Sequence, residues 1–330
     1  MSLDMRELLR SNYHWVTLFV LILLVGLVDP NFWNLSSLLI LLGDIVPLFI
    51  MALGLTFAIY IGGIDLSAQS MANMITVIAS LYLASLGLFI VPLCIIVGAI
   101  LGAASGLVTT RFLVPSFVST LAIGGVCYSL AQWLSGNRAL YMNAEKRDAL
   151  FGWMLSSSGI VQNILFVGAF VFFVALVIER KTVLGRRLKA VGAAELAAAA
   201  SGMKVARVKV LAFALSGALA ALAGVIFSIK LSGGAPSIAN GFLLPAIVAV
   251  LVGGTPLTGG VGGVVNTLVG TAIVAVIRAS MLYLEVAATH QQMVFGVILI
   301  VAIVFTIDRS KLTIVKLLKD SEHAKKLRLF

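Results

Sequence analysis

The chain is written as long apolar runs separated by short polar stretches. Ten such runs fall near residues 15–29, 35–61, 66–87, 89–109, 115–135, 160–179, 209–229, 241–256, 262–284 and 290–307. An uncharged apolar stretch of about 18 residues or more is long enough to cross a bilayer as a helix. The pattern therefore predicts an all-α integral membrane protein of about ten transmembrane helices. Two runs break the pattern. The second is 27 residues long, roughly 40 Å of helix at about 1.5 Å per residue, against a hydrocarbon core of about 30 Å. Gly43, Asp44 and Pro47 interrupt it, which predicts a kinked or broken span. The eighth is short and carries Pro245, the pattern of a half-span or of irregular backbone shielded by protein.

Composition agrees with this class. The chain is 61% hydrophobic and 11% charged, far from the roughly 45–50% and about 25% of soluble domains. It contains no linker, so residues 1–330 read as one polytopic domain. The opening MSLDMRELLRSNYHW carries both charge signs and no small-residue cleavage site, so it reads as the lead-in to a retained helix. Cys94 and Cys127 both lie in apolar runs, which argues against a disulfide or metal framework.

The charge of +10 is a topology signal. Eight of the 23 Lys and Arg residues lie between Arg180 and Lys209, and seven more between Arg309 and Arg328. The positive-inside rule puts both regions, and with ten spans both termini, in the cytoplasm. The cytoplasmic segments are then a loop near 180–209 and a tail near 308–330. Asn137–Ser158 becomes the main outside loop. This clustering speaks against nucleic-acid binding and for a lipid bilayer as the partner.

Gly98, Gly102 and Gly106 form one small-residue ladder; Ser216, Ala220 and Gly224 form another. Such ladders let helix backbones approach closely in lipid. A third small-residue stretch, Gly192–Gly202 (GAAELAAAASG), stands among the basic residues. Alanine is the best helix former, so it predicts a helix of about two turns ended by its glycines. A helix that short is marginal alone. It either lies on the membrane surface or docks against a partner.

Four stretches, in order, carry a resemblance. VGAAELAAAASGM (Val191–Met203) resembles the cytoplasmic coupling motif of ribose-type ABC importer permeases, in the branched-chain amino acid and sugar permease superfamily. IYIGGIDLSAQS (Ile59–Ser70), VPSFVSTLAIGGVCYSLAQWLSG (Val114–Gly136) and GFLLPAIVAVLVGGTPLTGGVGG (Gly241–Gly263) are similar to further motifs of that family. The resemblance implies a permease subunit in the bacterial inner membrane, importing a small polar solute, with a monosaccharide such as ribose, xylose or galactose favoured. It implies a second permease subunit, identical or a sister, an extracytoplasmic substrate-binding protein, and a separate ATPase that uses ATP and Mg. It also implies ATPase coupling through Gly192, Glu195, Ala197, Ala198, Ser201 and Gly202. The chain departs from the family pattern at Ala193, where Asn is usual, at Leu243 and Pro245, where acids are frequent, and at Val261, where a base is common. These departures leave the cargo and the choice of homodimer or heterodimer open.

A neutral polyhydroxylated cargo calls for amides, hydroxyls and aromatic faces along its path. Candidates are Gln69, Ser70, Asn73, Tyr128, Gln132, Asn266, Gln291 and Gln292, each also able to serve as a helix–helix hydrogen bond. Asp65 has two readings: an N-cap of the next helix, or a gating or substrate contact. Asp44 is either a functional intramembrane acid or a hydrated interfacial one. Arg278 and Glu285, seven residues apart, share a helical face near the outer end of the ninth span, as an ion pair, an exit-rim contact or a solvated pair. The glycines bracketing Thr255–Thr258 predict a tight turn or close backbone approach. The sequence holds no GxxxxGK[ST], HExxH or GxSxG, so neither a nucleotide, a catalytic site nor a metal is expected on this chain. A permease for a branched-chain amino acid or an autoinducer-type sugar, a secondary transporter, and a channel or scaffold are the competing readings.

Overall fold

A computed structural model describes residues 13–28 and 30–306; the predicted cytoplasmic tail and the first twelve residues lie outside them. The ten apolar runs are ten helices: α1 (Tyr13–Val28), α2 (Leu35–Tyr60), α3 (Ala68–Leu86), α4 (Ile90–Arg111), α5 (Ser116–Ser135), α7 (Ile164–Lys181), α10 (Val205–Leu231), α11 (Leu243–Val252), α12 (Val264–Tyr283) and α13 (Ala288–Thr306). Five helical stretches are long and apolar enough to cross a membrane: 35–60, 68–111 (α3 and α4 with the turn between them), 116–135, 205–231 and 264–283. Two ribbons of paired two-residue strands, Leu140–Tyr141 with Gly233–Gly234 and Ser157–Ser158 with Val161–Gln162, are added to the helices.

The polar loops hold three helices that the apolar pattern did not announce as such. α6 (Ala144–Leu155) occupies the predicted outside loop, capped by Asn143, whose side chain accepts from Lys146 N. α8 (Val183–Ala193) and α9 (Glu195–Ala200) divide the basic loop. The single helix expected over Gly192–Gly202 is therefore corrected: Gly192 belongs to the last turn of α8, and the alanine helix starts at Glu195.

The bundle is organised around α2 and α10. α10 packs against α4, α2 and α3, while α2 also meets α12, α11 and α7. The two ladders serve different faces of α10. A methyl at Gly102 would overlap the Phe213 carbonyl and one at Gly98 the Gly217 carbonyl, so the first ladder clamps α4 to α10. On the other side, a methyl on Gly224 would sit 2.6 Å from the Ala72 carbonyl of α3. Close backbone approach supplies the dispersion contacts that hold helices together where water exclusion cannot.

The expected break in the second span is absent, and the reason is visible. Pro47 lies inside an unbroken α2. Proline removes the hydrogen bond to the carbonyl four residues earlier, here that of Gly43. Lys230 Nζ donates to this freed carbonyl at 3.3 Å and to Asp44 Oδ1 at 2.7 Å. A neighbouring helix thus restores what the ring removed. Asp44 is an exposed ion-pair member at the edge of the bundle.

The true interruptions lie elsewhere. Between α2 and α3 the chain is irregular over 61–67, and after α11 it is irregular over 253–263. α11 has ten residues, about 15 Å of helix, so the eighth segment is half a span, as expected. Pro245 sits in its first turn, where no donor is missed. The two irregular segments touch: Gly260 N donates to Tyr60 O at 3.0 Å.

Candidate functional site

Thr182 starts α8 by accepting from Gly185 N at 3.2 Å. α8 buries Gly185, Leu188 and Val191 at the i, i+3, i+6 spacing of one helical stripe. α9 follows after Ala194 and rests on a single side chain. Ala198 is 7% exposed, whereas Leu196, on the opposite side, is 87% exposed. Glu195, Ala197, Ser201 and Gly202 are all exposed as well. Glu195 pairs with Lys209 of α10 at 2.6 Å. The Ala198 carbonyl accepts from Met203 N and Ser201 Oγ, and Gly202 turns the chain at φ 83°. The short helix is thus fixed at both ends and presents an apolar knob outward.

Behind α9 lies a joint that sequence reasoning missed. Glu179, at the end of α7, is 4% exposed and gathers four elements. Tyr60 Oη, at the end of α2, donates to its Oε1 at 2.8 Å. Val264 N, the first residue of α12, donates to Oε2 at 2.9 Å. Lys189 of α8 completes the set at 2.7 Å. A carboxylate at a helix start answers an otherwise unused N–H and the dipole, and a buried charge persists when it is paired and hydrogen-bonded. Gly192 brings α8 so close to α2 that a methyl would overlap the Tyr60 carbonyl. The one available signal in the sequence was an acid at the boundary between an apolar run and eight bases.

Two further bonds tie the pair of interruptions to the bundle. Thr56 and Thr267 place their hydroxyls 2.6 Å apart between α2 and α12. Asp65, 1% exposed, accepts from Ser67 N and Ser67 Oγ with Oδ1, and from Ser216 Oγ of α10 at 2.6 Å with Oδ2. It is not the N-cap of α3, a position that Ser67 holds. Asp65 closes a turn and pins the interruption to α10.

The predicted pathway residues fall into separate groups. Gln69 and Asn73 converge on Asn240, whose Oδ1 accepts from both. Asn73 Oδ1 also accepts from Ala239 N at 2.6 Å and Gln69 Oε1 from Gly241 N at 3.1 Å. These amides hold the segment before α11 onto α3. Ser70 lies beside Gly124 of α5. Tyr128 and Gln132, hydrogen-bonded at 3.2 Å, stand on an accessible face of α5. Asn266 donates to Gly253 O at 2.9 Å, near the joint. Gln291 donates to Val286 O at the other end of the bundle, and Gln292 lies against Gly241. Arg278 stacks on the Phe242 ring, 4.6 Å from its centroid. Glu285 stands beyond the end of α12 at φ 52°, and the two form no ion pair.

A bundle of long apolar helices, interrupted in its interior and carrying a separately mounted helix at one end, defines the class as a multi-pass membrane protein. The chain belongs to the family described as branched-chain amino acid transport system / permease component, whose profile matches residues 37–303. It is 32% identical over 294 residues to the ribose import permease protein RbsC of Haemophilus influenzae, covering 88% of this chain and 90% of that one. It is 34% identical over 303 residues to RbsC of Bacillus subtilis, with 89% and 91% covered. The L-arabinose ABC transporter permease protein AraH of Azospirillum brasilense is 30% identical over 303 residues, with 91% and 88% covered. No solved structure matches the chain significantly.

Proposed function

We propose that the chain is one of two permease subunits of a bacterial ABC importer that carries a monosaccharide across the inner membrane. The names of its relatives support the sugar, and the exposed, separately seated α9 supports the drive from outside the chain. In this reading all ten apolar helices lie in the membrane and both termini are cytoplasmic. ATP and Mg are handled by a separate ATPase at α9, and an extracytoplasmic binding protein delivers the cargo at the opposite end.

Force applied to α9 has a defined route. α8 is continuous with α9 through Ala194 alone, and α8 is fixed to α2 and α12 by Lys189, Glu179 and Tyr60. Displacement of α9 therefore reaches the two helices that flank the interrupted core as a movement of a rigid corner. A driving partner shifts the balance of inward and outward states through its different contacts with each.

The test is a pull-down and uptake pair. The wild-type chain copurifies with its cognate ATPase and, reconstituted with the binding protein, imports labelled pentose or hexose. Leu196→Glu leaves thermal unfolding in detergent unchanged and weakens ATPase association at least tenfold. Unchanged association and uptake in that variant would remove α9 from the contact.

A further inference from the structure

A cavity toward the end of the bundle away from α9 is lined by two cations, Lys230 and Arg278, and a single acid, Asp44. It has a volume of about 410 Å³ and lies between the first half of α2, the ends of α10 and α12, and the starts of α11 and α13. Along α10, Lys230 on its wall is 25 residues from Val205 beside α9, roughly 38 Å of helix. Its polar lining is Asp44, Lys230, Arg278 and Gln291, and Phe227 and Phe242 form an aromatic side.

The charges do not cancel there. Asp44 is held by Lys230 at 2.7 Å. Arg278, the one charged residue of α12 and partly buried, lies over the Phe242 ring at 4.6 Å. Phe227 braces that ring edge-on, with centroids 4.6 Å apart. Among the described residues no hydrogen-bond acceptor or carboxylate bonds to Arg278. The first turn of α11, Leu243, Leu244 and Pro245, supplies no acid. A guanidinium offers five N–H donors in a planar fork that matches a carboxylate, and a charge kept inside a membrane protein marks a functional site by default.

From this geometry we propose that the cavity is the outer cargo vestibule, and that its ligand is a sugar bearing an anionic group: a carboxylate on Arg278 and a sugar face on Phe227 and Phe242. The inference rests on the importer reading and adds to it a preference for sugar acids over neutral monosaccharides.

The experiment uses the full-length chain in nanodiscs of zwitterionic lipid, and titrates D-galactonate against D-galactose by calorimetry. Galactonate binds at least tenfold more tightly than galactose. Arg278→Gln abolishes the preference while Arg278→Lys retains part of it. Equal binding of the two sugars, no binding of either, or a preference that survives in Arg278→Gln overturns the proposal. A second arm repeats the titration in discs containing phosphatidylglycerol. Loss of galactonate binding there shows that the guanidinium serves a lipid headgroup, and also overturns it. Wild-type binding alone decides the matter if the variants do not fold. ATPase association and uptake are not read in this experiment, so failure here leaves the importer reading standing.

Discussion

Tyr60 and Glu179 are 119 residues apart in sequence and 2.8 Å apart in space. The tyrosine proton, shared with Gly262 O at 3.0 Å, joins the end of α2 to the end of α7 at the point where α8 turns away. Hydrogen bonds to a charged group contribute roughly 1.5–3 kcal/mol each. Glu179→Gln turns an amide donor toward either Val264 N–H or Lys189, and is expected to cut sugar uptake per ATP hydrolysed at least tenfold with assembly intact. Tyr60→Phe removes the shared donor to Glu179 and Gly262 O and costs about 1.5–3 kcal/mol. The ratio of uptake to hydrolysis in proteoliposomes separates loss of coupling from loss of protein.

Gly102 has no room for a side chain beside the Phe213 carbonyl, whereas Gly125 has nothing within 4 Å. Gly102→Ala is expected to destabilise by about 1–3 kcal/mol, the usual range for overpacking. Gly125→Ala leaves stability unchanged or slightly raised, because alanine is the better helix former. Thermal unfolding in one detergent compares the two.

Lys230 and Pro47 form a testable couple. Lys230→Met leaves the Gly43 carbonyl without a donor, at a cost of about 1–3 kcal/mol. With Pro47→Ala the backbone donor returns, so the same Lys230→Met change costs less. A double-mutant cycle on unfolding free energy reads a coupling of at least about 0.5 kcal/mol; strict additivity would contradict the assignment.

Asn73 holds Ala239 N and Asn240 against α3. Asn73→Ala is expected to loosen that segment. A cysteine placed at Ser237 then reacts with a water-soluble maleimide several-fold faster than in the parent.

Much of this architecture can be read from the sequence because lipid demands it. A backbone crossing a bilayer must satisfy its own hydrogen bonds, so apolar length alone located the ten apolar helices, the half-length α11 among them. The alanine helix was legible from composition. What stayed hidden depends on partners far along the chain. The continuity of α2 past Pro47 required knowing that Lys230 would reach Gly43. Glu179 looked like one acid in a basic loop until Tyr60 and Val264 met it. Gln69 and Asn73 read either as lining for a polar path or as helix–helix hydrogen bonds; their amides engage the backbone of Ala239 and Gly241 and the side chain of Asn240. α8 was obscured because its buried stripe is short and set among bases.

The contact of Gly192 with the Tyr60 carbonyl has a mechanical meaning. A seam with no space for even one methyl has no backlash: the two helices cannot glide past each other by a fraction of a turn. A tilt imposed on the corner that carries α8 is therefore handed to α2 at this seam, as by a lever and not by a spring.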